Sequence, residues 1–358
     1  MSTRNNQPNR QSISTPSNRL PTKRPTDIKT VDKDKHRRRN TFITAVSISV
    51  VIILIISIAY YLIYVMPFQR IIIKVDNDVV KIDYFLKRAL NSSSDDPIGE
   101  TINTLVEELI ILQEASKYGI EVSGEDIDTA LHDAAKGDSE SITDAEYKEW
   151  YRQLLNSTQF SDKQFRDLVK RSLLRQRMIQ YMADITPTTT EQDRLSIIVV
   201  KTYEEALSVK ERVDNGEEFA SLARELSLDT ITGQNGGDMG WFPVGILEGR
   251  FQYVLKDLDI GKCSEPTINN LATENSATDT TDYAVFMITE KDVAREVQPE
   301  YLTALQVKTY TDWLYEQEGI REIKYYSIHG GNYDDETNAW LNYQLQRMEK
   351  GRTSSSTE

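Results

Sequence analysis

The apolar pattern of the chain changes several times along its length. Residues 41–66 run without a single charged side chain, and about 20 apolar residues are enough to cross a bilayer. Two short apolar runs, 71–75 and 79–82, flank Asp76-Asn77-Asp78 and predict two strands joined by a turn. The period then becomes helical. Asp83 is the expected cap of a helix over 84–90. Ile102, Leu105, Val106, Leu109, Ile110 and Leu112 form a wide stripe, and Gly119 suits the helix C-terminus that follows. Ser123 is the expected cap of the next helix. A polar loop over 136–143 precedes a helix over 146–155. Ser161 and Gln164 make a capping box ahead of Phe165, Leu168, Val169, Leu173, Leu174, Met178 and Ile179.

Past Pro187 the strand pattern returns at 195–200. Helices are expected over 203–213 and from Phe219, where Phe219, Leu222, Ala223 and Leu226 share one face. A strand over 283–288 and a helix over 299–317, carrying Tyr301, Leu305 and Trp313, follow. Residues 267–282 are a polar insert, read as a hairpin loop. Residues 329–358 turn polar, and the last eight are expected to be disordered. No internal repeat is present.

Charge divides the chain. The net charge is −14, yet residues 1–40 hold eleven Lys/Arg and three Asp/Glu, making them +8 and leaving −22 for the rest. This basic tail has too little apolar surface to fold and is expected to be disordered. Arg37, Arg38 and Arg39 sit directly before the apolar run, which keeps that side cytoplasmic by the positive-inside rule. Tyr60, Tyr61 and Tyr64 mark its other end, where amphipathic rings suit the interface. The run exceeds the 7–15 residues of a signal-peptide core. Residues 41–67 are therefore expected to anchor the chain in a lipid bilayer, in a single pass, with the C-terminal body outside the cytoplasm. An acidic body argues against nucleic acid as a partner, since that affinity rests on neutralising phosphates. Cys263 is the single cysteine, which excludes an intramolecular disulfide and a cysteine-based zinc site. His36, His132 and His329 are too far apart to give metal-ligand spacing, and no cofactor is expected.

The most specific signal is the stretch from Phe219 to Phe242: an amphipathic helix, Asp229, then Gly236-Gly237-Asp238-Met239-Gly240-Trp241-Phe242. It resembles the centre of a parvulin-type (PpiC, rotamase) peptidyl-prolyl isomerase domain. The run 105–115, followed by Gly119-Ile-Glu-Val-Ser123, is similar to the first chaperone helices of the membrane-anchored PrsA/SurA-like foldases. The resemblance covers about residues 70–325 and is strongest in 217–251. It implies an α+β fold: a parvulin-like domain of antiparallel sheet with surrounding helices, inserted in an α-helical chaperone-like domain and preceded by one transmembrane helix. The implied organisation is a disordered basic cytoplasmic tail (1–40), the span (41–67), a helical chaperone-like region (68–190), the isomerase domain (191–293), a C-terminal helix packing back on the helical region (294–328) and a polar tail (329–358).

The function this implies is that of an extracytoplasmic foldase, a peptidyl-prolyl cis-trans isomerase with chaperone activity on exported, unfolded chains containing X-Pro bonds. Phe242, Leu247 and Phe251 match the family's proline-binding residues. Glu248 matches a position near the substrate, Asp229 the residue beside the twisting amide, and Ser196 the neighbour of the family's first active-site histidine. Asp238 is expected to organise the glycine turn, and Asp229, read as a water-exposed turn residue, to contribute little stability. Parvulins commonly carry two histidines. The matching positions here are Ile197 and Ala284, and no histidine occurs between residues 191 and 293. The alternative is therefore a catalytically degenerate holdase or interaction module on the same scaffold.

Overall fold

The computed structural model describes residues 28–247, 249–269 and 282–355. The described residues fall into two compact units, the first ending at Pro67 and the second starting at Phe68. In the first, α1 (Ile28–Tyr60) passes through a π-helical turn (Tyr61–Val65) into α2 (Met66–Gln69). The helix from Phe42 to Gln69 has a mean hydropathy of 2.8 and buries none of its residues. Because α1 begins at Ile28, it takes in part of the basic segment expected to be unfolded through residue 40. Residues 1–27 lie outside the described residues.

The second unit opens with a hairpin of β1 (Ile71–Val75) and β2 (Asp78–Lys81), turned at Asp76, which adopts φ 52°. Helices α3 (Ile82–Leu90), α4 (Pro97–Glu114), α5 (Gly124–Lys136), α6 (Asp144–Thr158) and α7 (Asp162–Ile185) follow. Gly119 takes the left-handed conformation at φ 70°, and Ser123 and Ser161 close capping boxes with Asp126 and Gln164. Asp83 is not the cap of α3. Lys81 holds that position, and Asp83, inside the first turn, accepts from Lys87 and Gln164 instead.

Next come β3 (Thr189–Val200), α8 (Tyr203–Asp214), α9 (Phe219–Leu226), α10 (Thr230–Gln234), β4 (Asp238–Pro243), α11 (Gly249–Leu255), β5 (Thr267–Asn269) and β6 (Asp282–Glu296). These strands form an antiparallel sheet in the order β4-β3-β6-β5. Of the polar insert, residues 267–269 are strand and residues 270–281 lie outside the described residues.

The chain ends with α12 (Pro299–Gly319), β7 (Ile323–Tyr325) and α13 (Asp335–Ser355). Strand β7 pairs with β1, giving a second antiparallel sheet in the order β2-β1-β7. The expected polar tail is instead a helix of 21 residues. Its Leu341 and Leu345 are buried in the same core as Phe85, Leu105 and Ile110. Only a few apolar residues, spaced at 340, 341, 345 and 348, carry that contact, so the polar majority conceals it in the sequence.

Candidate active site

Strand β3 separates two cores because side chains alternate across a strand. Leu195, Ile197 and Val199 pack with Phe251, Leu255, Ala284 and Phe286 on one face. Ile198 and Val200 pack with Val209, Phe219 and Leu222 from α8 and α9 on the other. Ile197 and Ala284, the positions that the sequence resemblance sets against histidines, are both almost wholly buried in this packing. The same alternation puts Ser196 with Ile198 and Val200, so the structure does not bring Ser196 to the face of Leu195 and Ile197. A match to a neighbouring position carries no information about which way the pleat points.

The glycine turn holds β4 against β3. Gly236 and Gly237 have φ 73° and 83°, values open to glycine at no steric cost. The Ile197 N–H donates to the Gly237 carbonyl at 2.9 Å. One Asp238 oxygen accepts from the Gly240 N–H at 3.0 Å and the other from Arg194 Nη2 at 2.6 Å. Arg194 also reaches Glu290 at 2.7 Å. Asp238 therefore organises the turn, and its bond to Arg194 holds its carboxyl below the usual range. A depressed folded value stabilises the fold above the unfolded carboxylate pKa of about 3.9 and loses that contribution as pH falls through the folded value. The pair is partly exposed, so Asp238→Asn is expected to cost about 0.5–1 kcal/mol at pH 7 and less at pH 3. Melting both proteins at the two pH values tests this; a penalty that does not shrink in acid would assign the loss to something other than charge.

The open side of the Leu195 face is a cavity of about 490 Å³ lined by Asp193, Leu195, Phe242, Pro243, Leu247 and Leu255, with Glu191, Lys256 and Lys291 around them. That volume lies within the range of small-molecule and peptide side-chain pockets. Phe242 also contacts Tyr301 of α12, ring centres 5.1 Å apart. Phe251 is not in the cavity wall: it is 3% exposed and packs edge-on against Phe286 at 4.9 Å. Truncating a buried Phe costs about 3–5 kcal/mol, so its loss would disturb the core before it reported on a substrate contact. Glu248 lies outside the described residues.

Asp229 is the N-cap of α10. Its carboxylate accepts from the Ile231 N–H at 3.0 Å and from Thr232 Oγ1 at 2.6 Å. The Leu228 N–H beside it donates to the Val199 carbonyl at 2.7 Å, which fixes Asp229 near the Val199 end of β3. Leu195, in the cavity wall, is four residues back along the strand, about 13 Å at 3.3 Å per residue. Asp229 is thus separate from the cavity, and as a cap it contributes more stability than a solvated turn residue would.

Asp193 lines the cavity, although the sequence pattern does not single it out. It precedes the apolar run 195–200 that marks the strand, although its i, i+2 spacing to Leu195 and Ile197 is visible there. Its Oδ1 is buried without a hydrogen-bond partner. Burial raises its carboxyl above the usual range, partly countered by Lys291. Cys263 offers no nucleophile, since burial pushes its thiol up to about 12.

Residues 187–281 match the family described as the PPIC-type PPIASE domain, and residues 35–179 the SurA-like N-terminal domain. Foldase protein PrsA of Geobacillus sp. (strain WCH70) is 37% identical over 118 residues, 30% of this chain and 42% of the relative. That of Geobacillus kaustophilus (strain HTA426) is 31% identical over 177 residues, 46% of this chain and 62% of the relative. The chain spans about half the length of the curated relatives it matches. Among solved structures, peptidylprolyl isomerase PrsA from Bacillus cereus shares 18% identity with a TM-score of 0.36, covering 70% of this chain and 88% of that one. The chain thus carries a PPIC-type PPIase domain over residues 187–281, preceded by a SurA-like N-terminal domain over residues 35–179.

Proposed function

We propose that the chain is a membrane-anchored extracytoplasmic foldase that isomerises X-Pro bonds in exported, unfolded polypeptides and holds them through its helical region. The observation that carries this reading is the apolar cavity within the PPIC-type domain, with Phe242 and Leu247 in its wall. Prolyl isomerisation breaks no bond. Its barrier of about 18–20 kcal/mol is the loss of amide resonance. An apolar slot lowers it by seating the proline ring and keeping water, which favours the polar planar amide, away from the twisting bond. Only a preference for the twisted over the planar form accelerates the step.

The isomerase domain, about 191–293, is read as an insertion between a helical region over 68–190 and a returning segment from 294. The β1–β7 pairing and the contacts of α12 with α4 and α7 support this arrangement. The apolar helix over 42–69, preceded by Arg37–Arg39 in sequence, supports anchoring with a cytoplasmic N-terminus. Protease added to spheroplasts should then cut beyond about residue 70 and spare the tail; a protected C-terminus would refute the orientation.

A second reading, a holdase without turnover, is favoured by two features: Ile197 and Ala284 close the site floor, and Asp229 is committed to capping α10. The two readings separate in an NMR exchange assay of X-Pro peptides with the detergent-solubilised chain. Wild type should catalyse exchange, and Phe242→Ala should remove most of it. Asp229→Ala should lower the melting temperature through loss of a cap worth about 1 kcal/mol. If it also lowers turnover at temperatures where it stays folded, Asp229 acts on the substrate as the family match implies. Peptide binding without any exchange in wild type would establish the holdase.

A further inference from the structure

We propose that Tyr301 is a positioning residue of the proline site: its ring supports Phe242, so α12, which lies beyond the matched residues 187–281, sets the shape of the cavity. The inference rests on the foldase reading, which makes the cavity the proline site, and adds a residue on which that site depends. β4 is an edge strand, with β3 as its neighbour in the sheet. Phe242 stands next to the last residue of β4 and pairs with Asp193, so the ladder fixes its backbone. Its ring is held by packing, against the core of Leu195 and Phe251 and against the Tyr301 ring 5.1 Å away. Tyr301 is not among the residues that line the cavity, whereas Phe242 is. Tyr301 therefore acts on a substrate only through Phe242.

The backbone gives Tyr301 a fixed place. The Val297 N–H donates to the Thr188 carbonyl at 2.8 Å, Pro299 opens α12, and the Tyr301 N–H donates to the Gln298 carbonyl at 3.0 Å. Lys308 lies two turns on and on nearly the same face, since seven residues turn an α-helix through about 700°. Its stem meets another part of the wall: a Cβ built on Gly245, which lines the cavity, would lie 2.8 Å from Lys308 Cε. α12 thus meets the wall at Phe242 and at Gly245. Tyr310, half a turn round from Tyr301, and Trp313 are buried in the helical core, which anchors the helix. A slot backed by a rigid element keeps the proline ring in one pose. A loosened slot binds the planar and twisted forms less well alike, which raises KM and leaves kcat nearly unchanged.

The test uses the detergent-solubilised full chain and fluorescein-labelled Ala-X-Pro-Phe peptides, X being Ala, Leu, Lys or Glu. Anisotropy gives Kd, and NMR exchange over a range of peptide concentrations gives KM and kcat. Tyr301→Ala should raise Kd and KM about three- to tenfold, the return of one aromatic pair, with kcat within about twofold. Tyr301→Leu should fall between, and Tyr301→Phe, which keeps the ring, should restore the wild-type values. Tyr315→Ala removes a 78% exposed ring from the same helix and should change neither constant. In a Phe242→Leu background, where the ring pair is already broken, Tyr301→Ala should change Kd less than about twofold. Each variant is melted first, and if Tyr301→Ala does not fold, Tyr301→Leu carries the comparison. Unchanged Kd and KM in both overturn the proposal. So does a lower kcat at unchanged KM, which is the signature of a smaller folded fraction, and so does a full effect of Tyr301→Ala without the Phe242 ring. Wild-type exchange with a Kd indifferent to Tyr301 leaves the isomerase reading standing without this residue. Peptide binding without exchange, with Kd still raised by Tyr301→Ala, supports the positioning role and removes the isomerase reading. Failure of wild type to bind any peptide overturns both.

Discussion

A chain ending after Glu296 is expected to lose the cooperative folding of its N-terminal helices, although everything removed follows the isomerase region. The helical core is built from both ends of the second unit. Tyr310, Trp313, Ile328, Leu341 and Leu345 are buried in one cluster with Ile72, Phe85, Leu105, Ile110 and Met178. At about 1.5–3 kcal/mol for each large apolar side chain, the lost burial is comparable with the whole stability of a typical domain, about 5–15 kcal/mol. The truncation also strips β7 from β1 and leaves polar groups behind. Arg321 and Glu114, 6% and 7% exposed, form an ion pair, and Glu114 would keep only Lys117, whose side chain is 66% exposed. Breaking a buried pair by removing one partner costs about 3–5 kcal/mol. Tyr310 Oη would no longer donate to Glu107, nor Trp313 Nε1 to Tyr118 Oη at 2.8 Å. Hydrogen exchange is the direct measurement. Amides of α4 should be strongly protected in the full chain and exchange at least a hundredfold faster in the truncated one, a factor that corresponds to about 3 kcal/mol. Equal protection would mean that residues 68–190 fold by themselves and that the returning segment only decorates them.

The elements legible in the sequence are those whose cause is local. Ser123 and Ser161 each cap a helix through a residue three positions on, so the signal and the contact lie in one window. The Thr143–Glu146 box is equally local, and the helix it caps starts only slightly before its expected position. Helix α13 is illegible because its cause is remote. Thr337, Leu341 and Leu345 are buried in a region whose other walls, α3 and α4, lie more than 200 residues earlier. No window of the sequence shows that partner. The site divides in the same way. Phe242 and Leu247 are legible from motif spacing, and the structure puts both in the wall of one cavity. Ser196 is assigned by its neighbour, and only the pleat separates the two faces. Asp193 does not stand out because a charged residue before an apolar run reads as solvent-facing until the cavity above it is known. Asp229 reads in the sequence as either a solvated turn or a site residue, and its geometry makes it a cap first.

Gly237→Ala is expected to destabilise the region of the β4-β3-β6-β5 sheet strongly, by about 2–5 kcal/mol. Two costs combine. The backbone at φ 83° is left-handed, which for an alanine costs roughly 1–2 kcal/mol. A Cβ there would lie 2.6 Å from the Ile197 carbonyl oxygen, 3.2 Å from Phe219 Cε1 and 3.3 Å from Ala223 Cβ. The nearest of these is backbone and cannot turn aside as a side chain would, so β4 must back away from β3; overpacking of this kind adds about 1–3 kcal/mol. Gly240 provides the control: it has φ 88°, but a Cβ added there would meet nothing within 4 Å. Gly240→Ala should therefore show the conformational cost alone, about 1–2 kcal/mol. Urea unfolding followed by intrinsic tryptophan emission, which includes Trp241 of β4, compares the two. Gly237→Ala should unfold at distinctly lower urea, and equal midpoints would mean that the β3–β4 contact yields without cost. The functional consequence follows from the register. Phe242 pairs with Asp193 and Gly240 with Leu195 across the same two strands, so a displaced β4 moves one wall of the cavity relative to the other. Turnover of X-Pro peptides should then fall in Gly237→Ala even at temperatures where the protein remains folded, whereas Gly240→Ala should lose less.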